Sequence, residues 1–314
     1  MRVIQRVCSK TSSRLVNDNY TFFKYGAAYQ LFAAVFALVT AFAVGFYGVN
    51  APTIVCSAIS AILFGIDLFC GIEAIKGCSL VVANTFANGG LIISVAASYI
   101  WFGEDVSAFQ IAGLVVFFVS VYLLSVTKKE EKDKKITPKT LILLIIDLIA
   151  NGAVMVVQKY FALKVEGGNT AVFSLFTFLL CAVIMAVCAL VVRLRPTDPA
   201  PVLSAPVLSA PERSENTKPD KKPFLCAKLV ICAAALALAL FAINYLVTEM
   251  GHYVDSVVLF PVSSAISVLI TALVGAIAYK EKPNAFGIAG IILGIVSIIL
   301  LSVFTPSVVS AIFG

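Results

Sequence analysis

The sequence is poor in charge. Only 13% of its 314 residues are Asp, Glu, Lys or Arg, against roughly 25% in a soluble domain. It holds one histidine, His252, so a histidine-based metal centre or a His-assisted nucleophile has no second member. Its eight cysteines, Cys8, Cys56, Cys70, Cys78, Cys181, Cys188, Cys226 and Cys232, form no Cys-x-x-Cys pair. Most lie within apolar stretches, as small packing residues do. No G-x-x-x-x-G-K-[ST] phosphate loop occurs, which leaves no ATP-driven pumping within this chain. Residues 1–20 lack the apolar core of a secretory signal. These absences predict no cofactor and no metal, and leave little room for an enzyme, which needs convergent catalytic groups.

Apolar sequence is abundant: 61% of residues are hydrophobic and the mean hydropathy is +1.02. A soluble fold of this length could not hide so much apolar surface. The apolar runs are about as long as a bilayer crossing, which takes about 20 helical residues. They fall at 22–47, 52–75, 79–101, 106–126, 140–163, 170–192, 224–248, 255–279 and 285–303. They are apolar on both parities, which excludes the alternation of a membrane β-barrel. The expected fold is therefore all-α and polytopic, with about nine transmembrane helices, and the first partner is the lipid bilayer.

The net charge of +6 does not indicate nucleic acid, because the basic residues sit in short loops between apolar spans. Alternate loops collect 21 of the 23 lysines and arginines, leaving only Lys159 and Lys164 toward the opposite side. The positive-inside rule makes the basic loops cytoplasmic, with the N-terminus inside and the C-terminus outside. Residues 127–139 are a charged connector. Residues 195–223 are rich in Pro and Ser, duplicate Pro-Val-Leu-Ser-Ala at 201 and 206, and cannot bury a core. Residues 304–314 form a tail.

The chain matches itself at a shift of 177 residues. Residues 104–126 and 281–303 share 12 of 23 positions without a gap, including Glu104/Glu281, Phe109/Phe286, Gly113/Gly290 and Ser120/Ser297. The register extends to Asp67 and Asn244. Glu104 and Glu281 fall on opposite sides by the charge count, so the repeats are inverted, as in many secondary transporters. The second repeat, 140–303, has five spans. The first, 1–126, has four. Val3, Ile4, Gln5 and Arg6 resemble Val156, Val157, Gln158 and Lys159, so Met1 is expected to lie inside the remnant of a first helix. Genomic sequence upstream decides between a late start site and a lost helix.

Each half ends in an apolar helix, an acidic junction and a last helix with Ile-x-Gly. The carrying residues are Phe102-Gly103-Glu104 with Ile111-Ala112-Gly113, and Tyr279-Lys280-Glu281 with Ile288-Ala289-Gly290. In this the chain resembles the EamA-type transporters of the drug/metabolite transporter superfamily. Pro261 matches a position where that family often has proline, and Asn84 stands there in the first half. The resemblance implies a plasma-membrane exporter of a small metabolite or drug-like solute working by alternating access. It also implies both termini in the cytoplasm, unlike the charge count. A lipid-linked sugar flippase, or a truncated chain that transports nothing, is the alternative.

Polar side chains within a span cost a few kcal/mol unless they meet a partner or water, so they are the site candidates. Asp147, Asn151 and Gln158 share one helical face. Asn84 and Asn88 share another, and Ser263, Ser267 and Thr271 step by four. Gln30, beside Tyr29, Asp67 and Asn244 complete the expected cavity. Asp67 and Asp147 are the candidates for proton coupling. For Asp147, about 10 Å from the cytoplasmic rim at 1.5 Å per residue, pairing with a rim lysine is the competing role. For Ser267 and Thr271 helix packing competes. Glu104 and Glu281 are expected to anchor helix junctions. Gly287, Gly290 and Gly294 are expected to let helices approach, within the chain or across a homodimer.

Overall fold

A computed structural model describes residues 19–78, 80–126, 137–194, 227–278 and 285–303. Those residues form nine α-helices and no strand: α1 (Asn19–Val44), α2 (Ala51–Gly77), α3 (Leu80–Trp101), α4 (Ala108–Val126), α5 (Pro138–Lys164), α6 (Thr170–Leu194), α7 (Ala227–Met250), α8 (Ser256–Ala278) and α9 (Ala285–Val303). Their bounds fall within about three residues of the apolar runs, and capping residues stand at several of the described helix starts. Asn50 accepts from the amide of Thr53 at 2.9 Å, with Pro52 in the first turn of α2. Thr137 caps α5 with Pro138 at its first position. Ser107 and Gln110 exchange bonds of 3.0 and 3.1 Å in a reciprocal capping box at the start of α4.

Among the described residues, four stretches are long and apolar enough to cross a bilayer: Tyr20–Val44, Ala51–Gly71, Pro138–Lys164 and Thr170–Leu194. Shorter apolar stretches are described in the other five helices. The flanks are covered with exposed large apolar side chains, among them Phe42, Val55, Ile100, Trp101, Val115 and Ile292. Water would not tolerate apolar surface on that scale. This is a helical membrane protein.

The helices pair across the two halves of the sequence. α1 packs along α6, and α4 along α9. A run of buried small residues in α1, Ala33, Ala34, Ala37 and Ala41, lies against Phe178 and Val172 of α6 and Ala237 of α7. α4 and α9 run antiparallel: Gln110 at the start of α4 reaches the Leu301 carbonyl near the end of α9, and the Ser120 hydroxyl donates to the Gly290 carbonyl at 2.7 Å. A Cβ on Gly113 would lie 2.9 Å from Leu300, and one on Gly294 would lie 3.0 Å from the Ser120 hydroxyl. These glycines, with Gly290, serve packing within the chain. α5 lies between α2 and α3. α3 and α5 approach backbone to backbone: a Cβ on Gly90 would lie 2.7 Å from the Gly152 nitrogen, and one on Gly152 would lie 2.6 Å from the Gly90 carbonyl. Pro261 is buried inside α8.

At one end of the bundle, the connections 45–50, 102–107, 165–169 and 251–255 meet across the halves. Asn169 donates to the Gly45 carbonyl at 2.8 Å while accepting from the amide of Ala171 at 2.8 Å, so one side chain caps α6 and ties it to the α1–α2 turn. Asn50 reaches the Glu166 carbonyl at 3.4 Å. Gly48 has a φ of +75°, and a Cβ there would sit 2.6 Å from the Gly167 carbonyl, so glycine alone fits that turn. Asn169→Ala removes the cap and the tie together and is expected to cost about 1–2 kcal/mol, read as a lower melting point of the purified protein.

Candidate functional site

Three polar arrangements occupy the interior. The first joins α2 to α5. Asp147 is 4% exposed, Asp67 is half-buried, and their carboxyl groups lie within hydrogen-bonding reach of each other. Two carboxyl groups can bond to each other only when one carries a proton. Asp147 lies nine residues into α5 and Asp67 ten residues before the end of α2. At 1.5 Å per residue each is about 14 Å from that end of the bundle, close to the middle of a hydrocarbon core of about 30 Å. The depth exceeds the sequence expectation because α5 starts earlier, at Pro138. The carboxyl of Asp147 rests on the backbone of Gly71, where a Cβ would lie 2.9 Å from Oδ1. Tyr29 of α1 and Cys181 of α6 are within electrostatic range of Asp67. Aromatic rings stand beside them, with Phe64 and Phe178 6.1 Å apart and Phe178 and Phe241 6.5 Å apart.

Gln30 is buried at 1% exposure and donates through Nε2 to the Tyr29 hydroxyl at 3.1 Å. Its Oε1 has no partner among the described residues, nor has the hydroxyl of Thr177 on α6. A buried, unsatisfied oxygen costs about 1–3 kcal/mol. Both are places for a solute group or a water.

The second arrangement lies toward the opposite end of the bundle. Gln158 of α5 donates to Asn244 Oδ1 at 2.8 Å, and Asn244 Nδ2 donates to the Leu240 carbonyl at 2.9 Å. Eleven residues of α5, about 16 Å, separate Gln158 from Asp147. Between them Asn151 is half-buried, and the Gly152–Gly90 contact presses α3 onto α5. The stripe of Asp147, Asn151 and Gln158 is thus divided into two layers. Asn88 of α3 is buried. The side chains of Asn84, Ser267 and Thr271, and all of Glu281, lie outside the described residues.

The third arrangement was missed as a site. Lys159, read from sequence as one of two cations on the sparsely charged side, is 3% exposed and forms an ion pair with Glu104 at 2.9 Å. Its Nζ also donates to the Gly251 carbonyl at 3.0 Å and the Val254 carbonyl at 2.8 Å. Glu104 Oε2 accepts from the amide of Ser256 at 2.8 Å, so the junction glutamate caps α8 rather than its own helix. A lysine five residues inside an apolar run is itself the signal, since a buried ammonium needs partners.

A groove of about 480 Å³ opens between α2, α3 and α5, lined by Val55, Cys56, Ile59, Trp101, Val157 and Tyr160 among others. Val55, Ile59, Trp101 and Tyr160 are exposed, so it faces the flank of the bundle. None of the polar candidates lines it. Among the described residues no three His, Cys, Asp or Glu side chains are grouped to hold a metal ion.

No family model and no curated protein matches the chain. By fold, 28 chains of solved structures match. One, described only as the crystal structure of a protein, aligns with a TM-score of 0.69 over 97% of this chain and 94% of its own, at 14% identity. That likeness fixes the fold: the helices take the arrangement of a solved structure over nearly their whole length.

Proposed function

We propose that the chain is a proton-coupled secondary transporter of the EamA type, exporting a small metabolite or drug-like solute across the plasma membrane. The observation that carries this reading is the Asp67–Asp147 carboxyl pair near mid-depth, between helices of different halves, with an unpartnered Gln30 oxygen on neighbouring α1. A shared proton in a poorly hydrated place is one that solute binding can displace.

The inverted repeat gives the alternating-access part of the proposal. Mated helices pair with each other: α1 with α6, α3 with α8 and α4 with α9. The contact of α2 with α6 is mirrored by that of α7 with α1. Such pseudo-twofold pairing is what rocking of one half on the other needs. The basic loops face the cytoplasm in this reading, and the end that joins 102–107 to 251–255 faces out.

Purified protein in proteoliposomes with an imposed proton gradient tests the reading against a metabolite and drug panel. Accumulation of at least one solute that collapses with a protonophore is the expected result. No flux for any solute, in vesicles whose protein is shown to be folded, contradicts it. A second reading, a flippase for a lipid-linked sugar, is favoured by the lateral apolar groove. Movement of a fluorescent lipid-linked sugar between leaflets, with no soluble flux, selects it.

A further inference from the structure

The Lys159–Glu104 cluster does more chemistry than packing requires. An ammonium has three donors, and the contacts to Glu104, Gly251 and Val254 occupy all three. Glu104 uses both oxygens, on Lys159 and on Ser256 at the start of α8. The cluster joins three separate segments: the α3–α4 connection of the first half, the body of α5, and the α7–α8 connection of the second half. A buried ion pair is a poor choice for stability alone, since apolar residues of the same volume often do as well or better. Its value lies in having two acceptable states. Closed, the charges satisfy each other. Parted, each can be hydrated, so separation is tolerated where water can enter.

We propose that Glu104 and Lys159 form the gate that closes the non-cytoplasmic end of the transport path, and that the gate opens when the 102–107 connection parts from α5 and 251–255. The inference rests on the transport reading. The neutral ties Asn169–Gly45 and Asn50–Glu166 close the other side of the same end. They part at a smaller desolvation cost, because each joins one neutral side chain to one carbonyl. The charged cluster is the closure that resists.

Thr248 reports on the gate. It lies on α7 one turn before Gly251, is 1% exposed, and its hydroxyl has no partner among the described residues. The protein carrying Thr248→Cys, in sealed vesicles, is treated from outside with a membrane-impermeant maleimide. Modification at that position is read by mass spectrometry, so the native cysteines do not interfere. Adding Glu104→Gln or Lys159→Met is expected to raise the labelling rate at least about tenfold (~1.4 kcal/mol in the opening equilibrium). The conservative Lys159→Arg, which keeps the charge and the donors to Gly251 and Val254, is expected to stay within about threefold of the native pair. Equal protection in all folded variants overturns the gate, as does a rate that rises as far with Lys159→Arg as with Lys159→Met.

A second measurement keeps the native pair. Asp105 and Asp255 are exposed on the two connections. Both are replaced by cysteine and bridged with a reducible cross-linker. Bridging is expected to stop solute flux, and reduction to restore it. Undiminished flux through fully bridged protein overturns the proposal. If no solute is moved by the unmodified protein, the transport reading fails, and the labelling rates still decide whether this end opens through the pair.

Discussion

Asp147→Asn is expected to abolish proton-driven accumulation of solute, by more than about tenfold, while leaving passive exchange of the same solute measurable. The amide has the shape of a protonated carboxyl group and can still donate to Asp67, so the α2–α5 contact survives. What disappears is the second titratable oxygen pair between which a proton can be held and released. Asp67→Asn is expected to lose accumulation too, but with a smaller effect on melting. Asp67 is half-buried, whereas Asp147 is 4% exposed and rests on Gly71. Equal accumulation by the native protein and by both variants would remove the carboxyl pair from the mechanism. Loss of passive exchange along with accumulation would assign the pair to folding or solute binding instead.

Gly152→Val is expected to be among the most damaging single changes in the chain. The first atom added would lie 2.6 Å from the Gly90 carbonyl and 2.7 Å from Ile93 Cβ. The obstacle is backbone, which cannot rotate aside as a side chain tip can. Overpacking of this sort costs about 1–3 kcal/mol or more, a drop of roughly 3–10 °C in melting midpoint. Because α5 carries both Asp147 and Lys159, moving it off α3 disturbs both polar clusters, so flux falls with stability. Gly103→Ala is the contrast. Its φ is +66° but nothing lies within 4 Å of the added atom, so only local backbone strain of about 1 kcal/mol is at stake. Similar melting points for Gly152→Val and Gly103→Ala would show that the α3–α5 contact is looser than described.

The helices were legible in the sequence, because length and apolarity of a run are local properties and a bilayer imposes both. In the structure Asn50, Ser107 and Thr137 mark the starts of α2, α4 and α5. Asp67 and Asp147 were legible as candidates one by one, since a carboxyl group in an apolar run stands out. Their meeting was not, since 80 residues separate them and no local pattern encodes which helices adjoin. The face through Asp147, Asn151 and Gln158 was correctly periodic yet read as one lining. Periodicity says which residues share a side of a helix, not which neighbour presses against that side, and Gly90 presses between the two layers. The last-span glycines drew attention as a stripe, whereas Gly90 and Gly152 bring two different helices together backbone to backbone. Lys159 was counted for which side it faced. Its burial comes from partners in two distant loops, Glu104 and 251–255, that no spacing rule connects to it.

The functional reading rests on one proton held between Asp67 and Asp147, and infrared spectroscopy of the purified protein tests it without knowing the solute. A protonated carboxyl group absorbs in a region of its own, separate from carboxylate and amide. In difference spectra recorded across a pH titration, the native protein is expected to show one such band that persists at neutral pH and shifts in deuterated water. Asp147→Asn and Asp67→Asn should each remove it. A native spectrum with no protonated carboxyl band at neutral pH, or a band that survives both substitutions, contradicts the account.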